Sequence, residues 1–304
     1  MSRPEIHADD YAISPHSSED ILSCLRAGCL DSLSVLTNMS CYEKYAEKYR
    51  QEKASWPREP LLSVHLNFME GHCLADPAEV PHLVDKEGFF HISWGTLFLW
   101  NYSPKKFLTI KKELKKEIAA QTERFLEMFG GQEPLRFDGH QHTQMIPLVY
   151  WALLEVIVER HYRTDYIRVT REPVRPYLKA GGLWKTYRPV NWIKNLLLNY
   201  FAGGMERTLR KNRPSWQREN TPMYLWGVVM SGRMDEKRVR RLLPAMRAQA
   251  EKKGRHLEIL FHPGSVLQQE LTDEFCNRGA NGFHISPDRH AEYETVMALG
   301  KEGI

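Results

Sequence analysis

The sequence has little cysteine, and no arrangement of it points to disulfides or to a zinc ribbon. Five cysteines are scattered over 304 residues, an odd number without any CxxC pair. This spacing excludes the disulfide framework of a small secreted domain. Reduced thiols are typical of cytoplasmic proteins, and we therefore predict a cytoplasmic location.

The sequence also lacks a segment with the character of a membrane span. The first ten residues, MSRPEIHADD, contain no apolar core of the kind that signal peptides have. The longest apolar run, MIPLVYWALLEVIV, is too short for a bilayer and contains Glu155. We therefore expect a soluble chain with no transmembrane segment.

Strong net charge is missing as well. The formal net charge of +4 is small for this length, so composition does not favour a nucleic-acid partner. The basic stretch around Trp216 could meet an anionic surface, but a solvated helix end is the simpler interpretation. We predict no nucleic-acid partner.

What the sequence does contain is a globular composition with a regular alternation of elements. Hydrophobic residues make up 42% and charged residues 26%, which excludes extended disorder. The strand-like runs are EIHA, SLSVLTN, LLSVHLNF, LRFD, YIRVTR, MYLWGVV and HLEILFH. About seven strands, most followed by a helix-like stretch, predict one α/β domain over residues 1–304 with a largely parallel sheet, open or closed as a barrel.

Helix boundaries can be read from capping residues, prolines and glycines. A capping-box pattern at Ser17 predicts the start of the first long helix. Pro104 and Pro147 predict the starts of two more. Residues 72–102 and 172–190 are long for loops, and we expect them to shape a binding cleft.

Two adjacent aspartates, Asp9 and Asp10, follow the first strand-like run. Adjacent carboxylates repel each other, so at least one of them needs a counter-charge or a proton. A metal ion supplies that charge, and one aspartate can then ligate it while its neighbour acts as a base. The alternative is that the pair caps a helix, which is a common use of aspartate.

Histidines stand at the ends of three further strand-like runs. His65 follows LLSV, and His262 follows HLEILF. The run LRF is followed by Asp138, His140 and His142. Alternation along a strand would put His140 and His142 on one face. The carboxyl ends of parallel strands meet at one end of a sheet or barrel, where active sites form. Together these residues favour a metal-dependent active site over separate structural roles.

These segments resemble the motifs of the YdjC/ChbG-type carbohydrate deacetylase family. The family's ADDFG-like, HLNL-like, DSHxH and HPG segments correspond to ADDYA from Ala8, HLNF from His65, DGHQH from Asp138 and HPG from His262. The ending SPDRHAEYETVMAL is similar to the family's SxxRxxE-type last helix. The resemblance therefore extends over nearly the whole chain.

The resemblance implies a distorted (β/α) barrel with its active site at the carboxyl ends of the strands. It implies one divalent metal ion, with ligands on Asp10, His65 and His140, and a catalytic base at Asp9. The implied reaction is removal of an acetyl group from an N-acetylated sugar. Zn²⁺ suits these ligands, while Mg²⁺, Mn²⁺ and Co²⁺ stay open.

The chain departs from the family pattern at three positions. Tyr11 and Ala12 stand where the family usually has Phe and Gly, and Gly139 stands where it usually has Ser. None of these changes removes an implied ligand. They lie beside the metal, so they bear on the choice of sugar.

Chemical reasoning from the residues agrees with this reaction. Amide hydrolysis needs an activated water, a polarised carbonyl and a proton for the leaving amine, and three protein ligands leave coordination positions open. Asp9 could take the proton of the water. His142 or His262 could protonate the amine or stabilise the oxyanion. Asp138 could orient a histidine.

Two more residues are predicted to support the site or to bind substrate. Arg171 follows the fifth strand-like run and could bind sugar hydroxyls or orient Asp9, with a solvated loop as the alternative. Asn67 belongs to the HLNF segment and is assigned to the same group.

The predicted function is therefore that of a metal-dependent carbohydrate N-deacetylase with an N-acetylated sugar as substrate. One rival is a metal-dependent phosphoesterase or other hydrolase on the same scaffold. The other rival is a non-catalytic sugar-binding protein. The presence of Asp9 argues against it, because Asp9 is not needed to hold the metal. A homodimer is compatible with the apolar stretch at residues 191–204, although packing on the barrel is its simpler use.

Overall fold

A computed structural model describes residues 3–131, 134–179, 183–211 and 222–303. The strands in this part of the chain follow the predicted runs in number and order. They are β1 (Glu5–Tyr11), β2 (Ser32–Val35), β3 (Leu61–Leu66), β4 (Leu135–Gly139), β5 (Thr164–Ile167), β6 (Met223–Trp226) and β7 (His256–Phe261). The basic stretch around Trp216 lies mostly outside the described residues.

Helices follow most of the strands and cover the outside of the sheet. They are α1 (Pro15–Arg26), α2 (Tyr42–Glu52), α3 (Trp94–Trp100), α4 (Pro104–Met128), α5 (Pro147–Glu159), α6 (Arg175–Lys179), α7 (Pro189–Lys211), α8 (Glu236–Lys252), α9 (Asn281–His284) and α10 (Asp288–Lys301). None of the described helices is both long and apolar enough to cross a bilayer.

All strand pairs in the sheet are parallel, in the order β5-β4-β3-β2-β1-β7-β6. The two outer strands approach each other, because Leu225 of β6 donates its backbone N–H to the carbonyl of Arg171, just after β5. The sheet is therefore curled into a distorted (β/α) barrel. The predicted fold class is confirmed.

The inside of the curled sheet is polar, and the apolar core lies between the sheet and the helices. Along β1, Glu5, His7 and Asp9 alternate with the buried apolar residues Ile6 and Ala8. Alternate residues of a strand point to opposite faces, so the polar set shares one face.

Contacts across the barrel confirm which face that is. The Tyr166 hydroxyl of β5 donates to Glu258 of β7 at 2.6 Å, although four strands separate β5 from β7 in the sheet. Arg168, directly after β5, pairs with the same Glu258 at 2.8 Å. Paired charges thus fill the barrel interior, as buried charges require.

Prolines and caps place most helix starts as predicted, with one correction. α4 and α5 begin at Pro104 and Pro147. α1 begins at Pro15 rather than near Ser17, because the side chain of Ser14 accepts the N–H of Ser17 and is the actual cap. A residue before proline prefers extended backbone, which suits an N-cap at Ser14.

The expected origin of the cleft is also corrected. No residue of the ranges 72–102 and 172–190, as far as they are described, lines the cleft at the barrel end. Residues 227–231 after β6 and residues 277–284 before α10 form much of its wall instead. Residues 72–102 fold on themselves, with antiparallel bridges from His72 to Phe89 and from Val84 to Phe90.

Candidate active site

The end of β1 brings both aspartates into one cleft. Successive side chains on a regular strand would point to opposite faces. Here the pairing of β1 with β2 shifts register between Ala8 and Tyr11, and Asp10 has a φ of 69°. This irregularity turns Asp10 toward the same cleft as Asp9.

Three predicted metal ligands meet at this point. The Asp10 Oδ1 atom lies 2.9 Å from His140 Nδ1 and 3.5 Å from His65 Nε2. Ligand atoms that are about 2.1 Å from one ion stand roughly 3.0 to 3.4 Å apart for octahedral to tetrahedral angles. The two measured separations are close to this range, and one ligand atom from each of the three residues lies within 4.8 Å of the others, which suits a single divalent ion.

Charge and hydrogen bonding at His65 also fit a cation. Its Nε2 atom is buried and has no hydrogen-bond partner among the described residues. Burial alone would lower the pKa of His65, but the carboxylates of Asp9 and Asp138 outweigh burial and raise it to about 10. The site thus favours a positive charge next to His65, which a proton or a metal ion can supply.

Asp9 is held by an arginine. Arg168 Nη1 donates to both carboxylate oxygens of Asp9, at 2.9 and 3.1 Å. Burial would raise the pKa of Asp9, but the charge of Arg168 more than offsets it and holds the pKa well below its usual range. His7 Nε2 is 3.0 Å from the same carboxylate. Asp9 is therefore ionised and fixed in orientation.

Two of the three predicted ligands have a polar partner behind them. Asp138 Oδ1 is 2.6 Å from His65 Nδ1, and the hydroxyl of Ser34 donates to the other oxygen of Asp138. The Asp10 oxygen that faces away from the histidines accepts a hydrogen bond from Arg289 Nη2. Such partners fix the rotamer of a ligand and, for histidine, its tautomer.

His140 and His142 share the cleft for a different reason from the one expected. β4 ends at Gly139, and residues His140–Met145 form a 3₁₀ segment. Gln141 and His142 have positive φ values of 55° and 62°, which turn His142 back toward the cleft. The interpretation as strand alternation was wrong, because the strand had already ended.

The remaining two histidines of the predicted set have different environments. Burial, and then the charge of Lys194, lower the pKa of His142 well below its usual range, so His142 is neutral. His262 has a carboxylate behind it, since its Nδ1 is 3.6 Å from Glu292 Oε2. Both line the same cleft as Asp9.

Arg171 and Asn67 do not reach the cleft. Arg171 donates to Glu206 at 2.7 Å, and the position next to Asp9 belongs to Arg168. Both arginines come after β5, but Arg168 follows it directly, in phase with Tyr166, and points inward to Asp9. Asn67 is fully buried and accepts the N–H groups of the turn after β3, so it shapes the turn and makes no contact with the cleft.

Several residues of the site were not singled out from the sequence. Arg168 could have been found from its inward phase in YIR. Arg289 and Glu292 belong to the SPDRHAEYE segment, which showed no role on its own. Lys194 and His284 line the cleft from helices without any local motif.

Lys194 is notable because it has no hydrogen-bond or ion-pair partner among the described residues. It lies on α7 and lines the cleft together with Asp9 and His142. Burial lowers its pKa to about 8. An ammonium group in this position can donate to an oxygen of a bound molecule.

This geometry can be compared with known proteins. The model of the YdjC-like protein family matches residues 5–298. The chain belongs to this family. The resemblance expected from the ADDYA, HLNF, DGHQH and HPG segments is thereby confirmed.

Relatives of this YdjC-like protein carry names that agree with the expected enzyme class. It is 24% identical to a Xenopus laevis protein named carbohydrate deacetylase, over 96% of this chain and 90% of the relative. It is also 24% identical to a Danio rerio protein of the same name, over 97% and 93%.

A solved structure shares the fold. It is described as a "putative cellobiose-phosphate cleavage protein" of Enterococcus faecalis V583 and matches with a TM-score of 0.63 at 17% identity. The match covers 99% of this chain and 94% of that chain. At this identity the likeness shows the fold alone.

Proposed function

We propose that residues 1–304 form one metal-dependent hydrolase that removes the acetyl group from an N-acetylated amino sugar, an oligosaccharide of such sugars or a sugar conjugate. The observation that carries the proposal is the convergence of Asp10, His65 and His140 beside the arginine-held Asp9. The names of the frog and zebrafish relatives support the sugar amide as the substrate class.

The three ligands fit a divalent ion by their atoms, spacing and burial. One carboxylate oxygen and two imidazole nitrogens suit Zn²⁺ and also accept Mn²⁺, Co²⁺ or Mg²⁺. Such an ion, when bound, would polarise the acetyl carbonyl and make a water molecule more acidic.

Asp9 is our proposed general base. Its carboxylate is ionised, lines the cleft and is not needed as a ligand. Arg168 holds both oxygens, so the carboxylate keeps one orientation while it accepts a proton. General bases must lie within hydrogen-bond reach of the proton that they remove, and a fixed carboxylate in the cleft meets this need.

His262 is our proposed general acid. It lines the cleft, and the Glu292 carboxylate, 3.6 Å from its Nδ1, orients the ring. His142 is neutral, and as a neutral donor it suits the oxyanion that develops on the acetyl oxygen. Lys194, which has no hydrogen-bond or ion-pair partner among the described residues, is placed to donate to another oxygen of the substrate.

Acetate release tests this proposal. The purified protein should release acetate from N-acetylglucosamine or its short oligomers, and His65→Ala should release none. Phosphate release from a generic phosphoester, without acetate release, would favour the rival phosphoesterase. Sugar binding without turnover would favour a non-catalytic protein.

Location and assembly are also part of the proposal. All five cysteines are free, which is consistent with a location in the reducing environment of the cytoplasm.

In a homodimer, a second copy would pack on the exposed apolar side chains of α7, which are Ile193, Leu196 and Tyr200. Light scattering of the purified protein would decide between monomer and dimer.

A further inference from the structure

Three buried polar atoms around His140 have no hydrogen-bond partner among the described residues. They are His140 Nε2, Glu70 Oε1 and His284 Nε2. His284 Nε2 lies 3.6 Å from Glu70 Oε1. One ligand-type atom from each of the three residues lies within 4.8 Å of the other two. Unpaired buried polar atoms are costly, so this cluster calls for an explanation.

A second metal ion is one explanation, and Arg289 argues against it. Arg289 Nη1 is 3.2 Å from His284 Nδ1. A guanidinium can only donate, so Nδ1 accepts and the proton of the neutral ring is on Nε2. A protonated nitrogen has no lone pair for a metal. His284 Nε2 is therefore a donor, and the carboxylate of Glu70 is the acceptor that it faces.

The same reasoning applies to His140 once a metal is bound, a step that rests on the proposed ligand set. His140 Nδ1 is the nitrogen that faces Asp10 Oδ1, at 2.9 Å. Ligation through Nδ1 requires its lone pair, so the ring proton must be on Nε2. That N–H points away from Asp10 and needs an acceptor.

We propose that Glu70 is the positioning carboxylate of His140. Its Oε1 atom accepts a hydrogen bond from the Nε2–H group of His140 and another from the Nε2–H group of His284, each directly or through one water. Asp138 does the same for His65, whose Nδ1 is 2.6 Å from Oδ1 of Asp138. Each metal-binding histidine would then have its own carboxylate.

The fold holds Glu70 in place for this role. Its other carboxylate oxygen accepts the backbone N–H of Asn277 at 3.1 Å. Its backbone N–H donates to the side chain of Asn67, and its carbonyl accepts from Asn38 at 2.8 Å. Asn67 thus fixes the turn that carries Glu70.

Metal affinity, rather than activity, tests the inference. Metal-free wild type and Glu70→Gln are titrated with Zn²⁺ in competition with a chromophoric chelator. We expect one ion per chain in both and an affinity about 10- to 100-fold weaker in Glu70→Gln. Glu113→Gln is the matched control. Glu113 is a buried carboxylate that accepts the backbone N–H of His82 and does not line the cleft, so affinity should not change.

His284→Asn provides a second variant if Glu70→Gln folds poorly. It removes the donor that fixes the Glu70 carboxylate, and its affinity should fall between those of wild type and Glu70→Gln. Wild-type affinity in both variants would overturn the inference. So would two ions per wild-type chain with one lost in Glu70→Gln, which would make the cluster a second metal site. No ion in wild type would instead overturn the ligand set itself.

Discussion

Replacing the two neighbouring aspartates one at a time should separate their roles. Asp10→Asn removes the charge of a proposed ligand and should weaken metal binding and turnover together. Asp9→Asn removes the proposed base but leaves the three ligands in place. We expect it to bind metal nearly as wild type does and to turn over about 10² to 10⁴ times more slowly. This loss corresponds to roughly 3 to 5 kcal/mol of activation free energy.

The structure indicates that Asp9→Asn should still fold. Removing one partner of a buried ion pair costs about 3 to 5 kcal/mol when the other charge is left alone. Arg168 is not left alone, because it also contacts Asp138 at 3.3 Å and Glu258 at 2.8 Å. The asparagine keeps one acceptor oxygen, so we expect a loss in unfolding free energy of only about 1 to 2 kcal/mol.

The assay is kcat for acetate release beside metal content for wild type, Asp9→Asn and Asp10→Asn. Urea unfolding of each variant checks that the fold persists. Near-normal turnover of Asp9→Asn would refute its role as base, and the base would then be sought at Asp138 or among the histidines. Loss of metal from Asp9→Asn would show that Asp9 is itself a ligand.

Three further predictions concern stability and thiol chemistry. Burial raises the pKa of the Cys41 thiol to about 12. Alkylation of Cys41 at pH 8 should therefore be far slower in the folded protein than in the unfolded protein, and it should speed up as the pH rises. Equal alkylation rates in the two states would contradict this prediction. Ala12 has a φ of 70°, a strained backbone conformation for most residues other than glycine. Ala12→Gly should therefore raise the free energy of unfolding, measured by urea titration, by up to about 1 kcal/mol. A decrease would show that the backbone at Ala12 is not strained. A Cβ on Gly139 would lie 2.8 Å from the Gln144 side chain, so Gly139→Ser should cost about 1 to 3 kcal/mol. Adding Gln144→Ala should recover part of that loss. If it recovers nothing, the steric clash in Gly139→Ser is not with Gln144.

The strands could be predicted because polar and apolar residues alternate along them. Glu5, His7 and Asp9 alternate with Ile6 and Ala8, and this alternation reflects a polar barrel interior against an apolar helix layer. The ends of the strands were predictable for the same reason, since polar groups cluster where parallel strands terminate.

Local geometry after the strand ends could not be predicted. The positive φ values at Asp10 and His142 depend on tertiary contacts, and neither residue is a glycine that would have indicated them. The prediction that His142 lies in the cleft was therefore correct, but the reason given for it, alternation along a strand, was not.

Partners from distant elements were the other gap. Arg289 of α10 reaches Asp10, and Glu70 and His284 meet near His140, although more than 200 residues separate Glu70 from His284. Such contacts depend on how the helices close over the barrel end, and no local spacing encodes them. The arginine beside Asp9 was placed at Arg171 rather than Arg168, an error that strand phase alone could have prevented.

Titrating the metal-free protein with one divalent metal while acetate release is followed tests the central claim most directly. We expect no release without metal and a rise that ends at one ion per chain, with His65→Ala inactive throughout. Full activity in the presence of a strong chelator, or no acetate release at any metal concentration with any N-acetylated sugar tried, would contradict the proposed site at Asp10, His65 and His140.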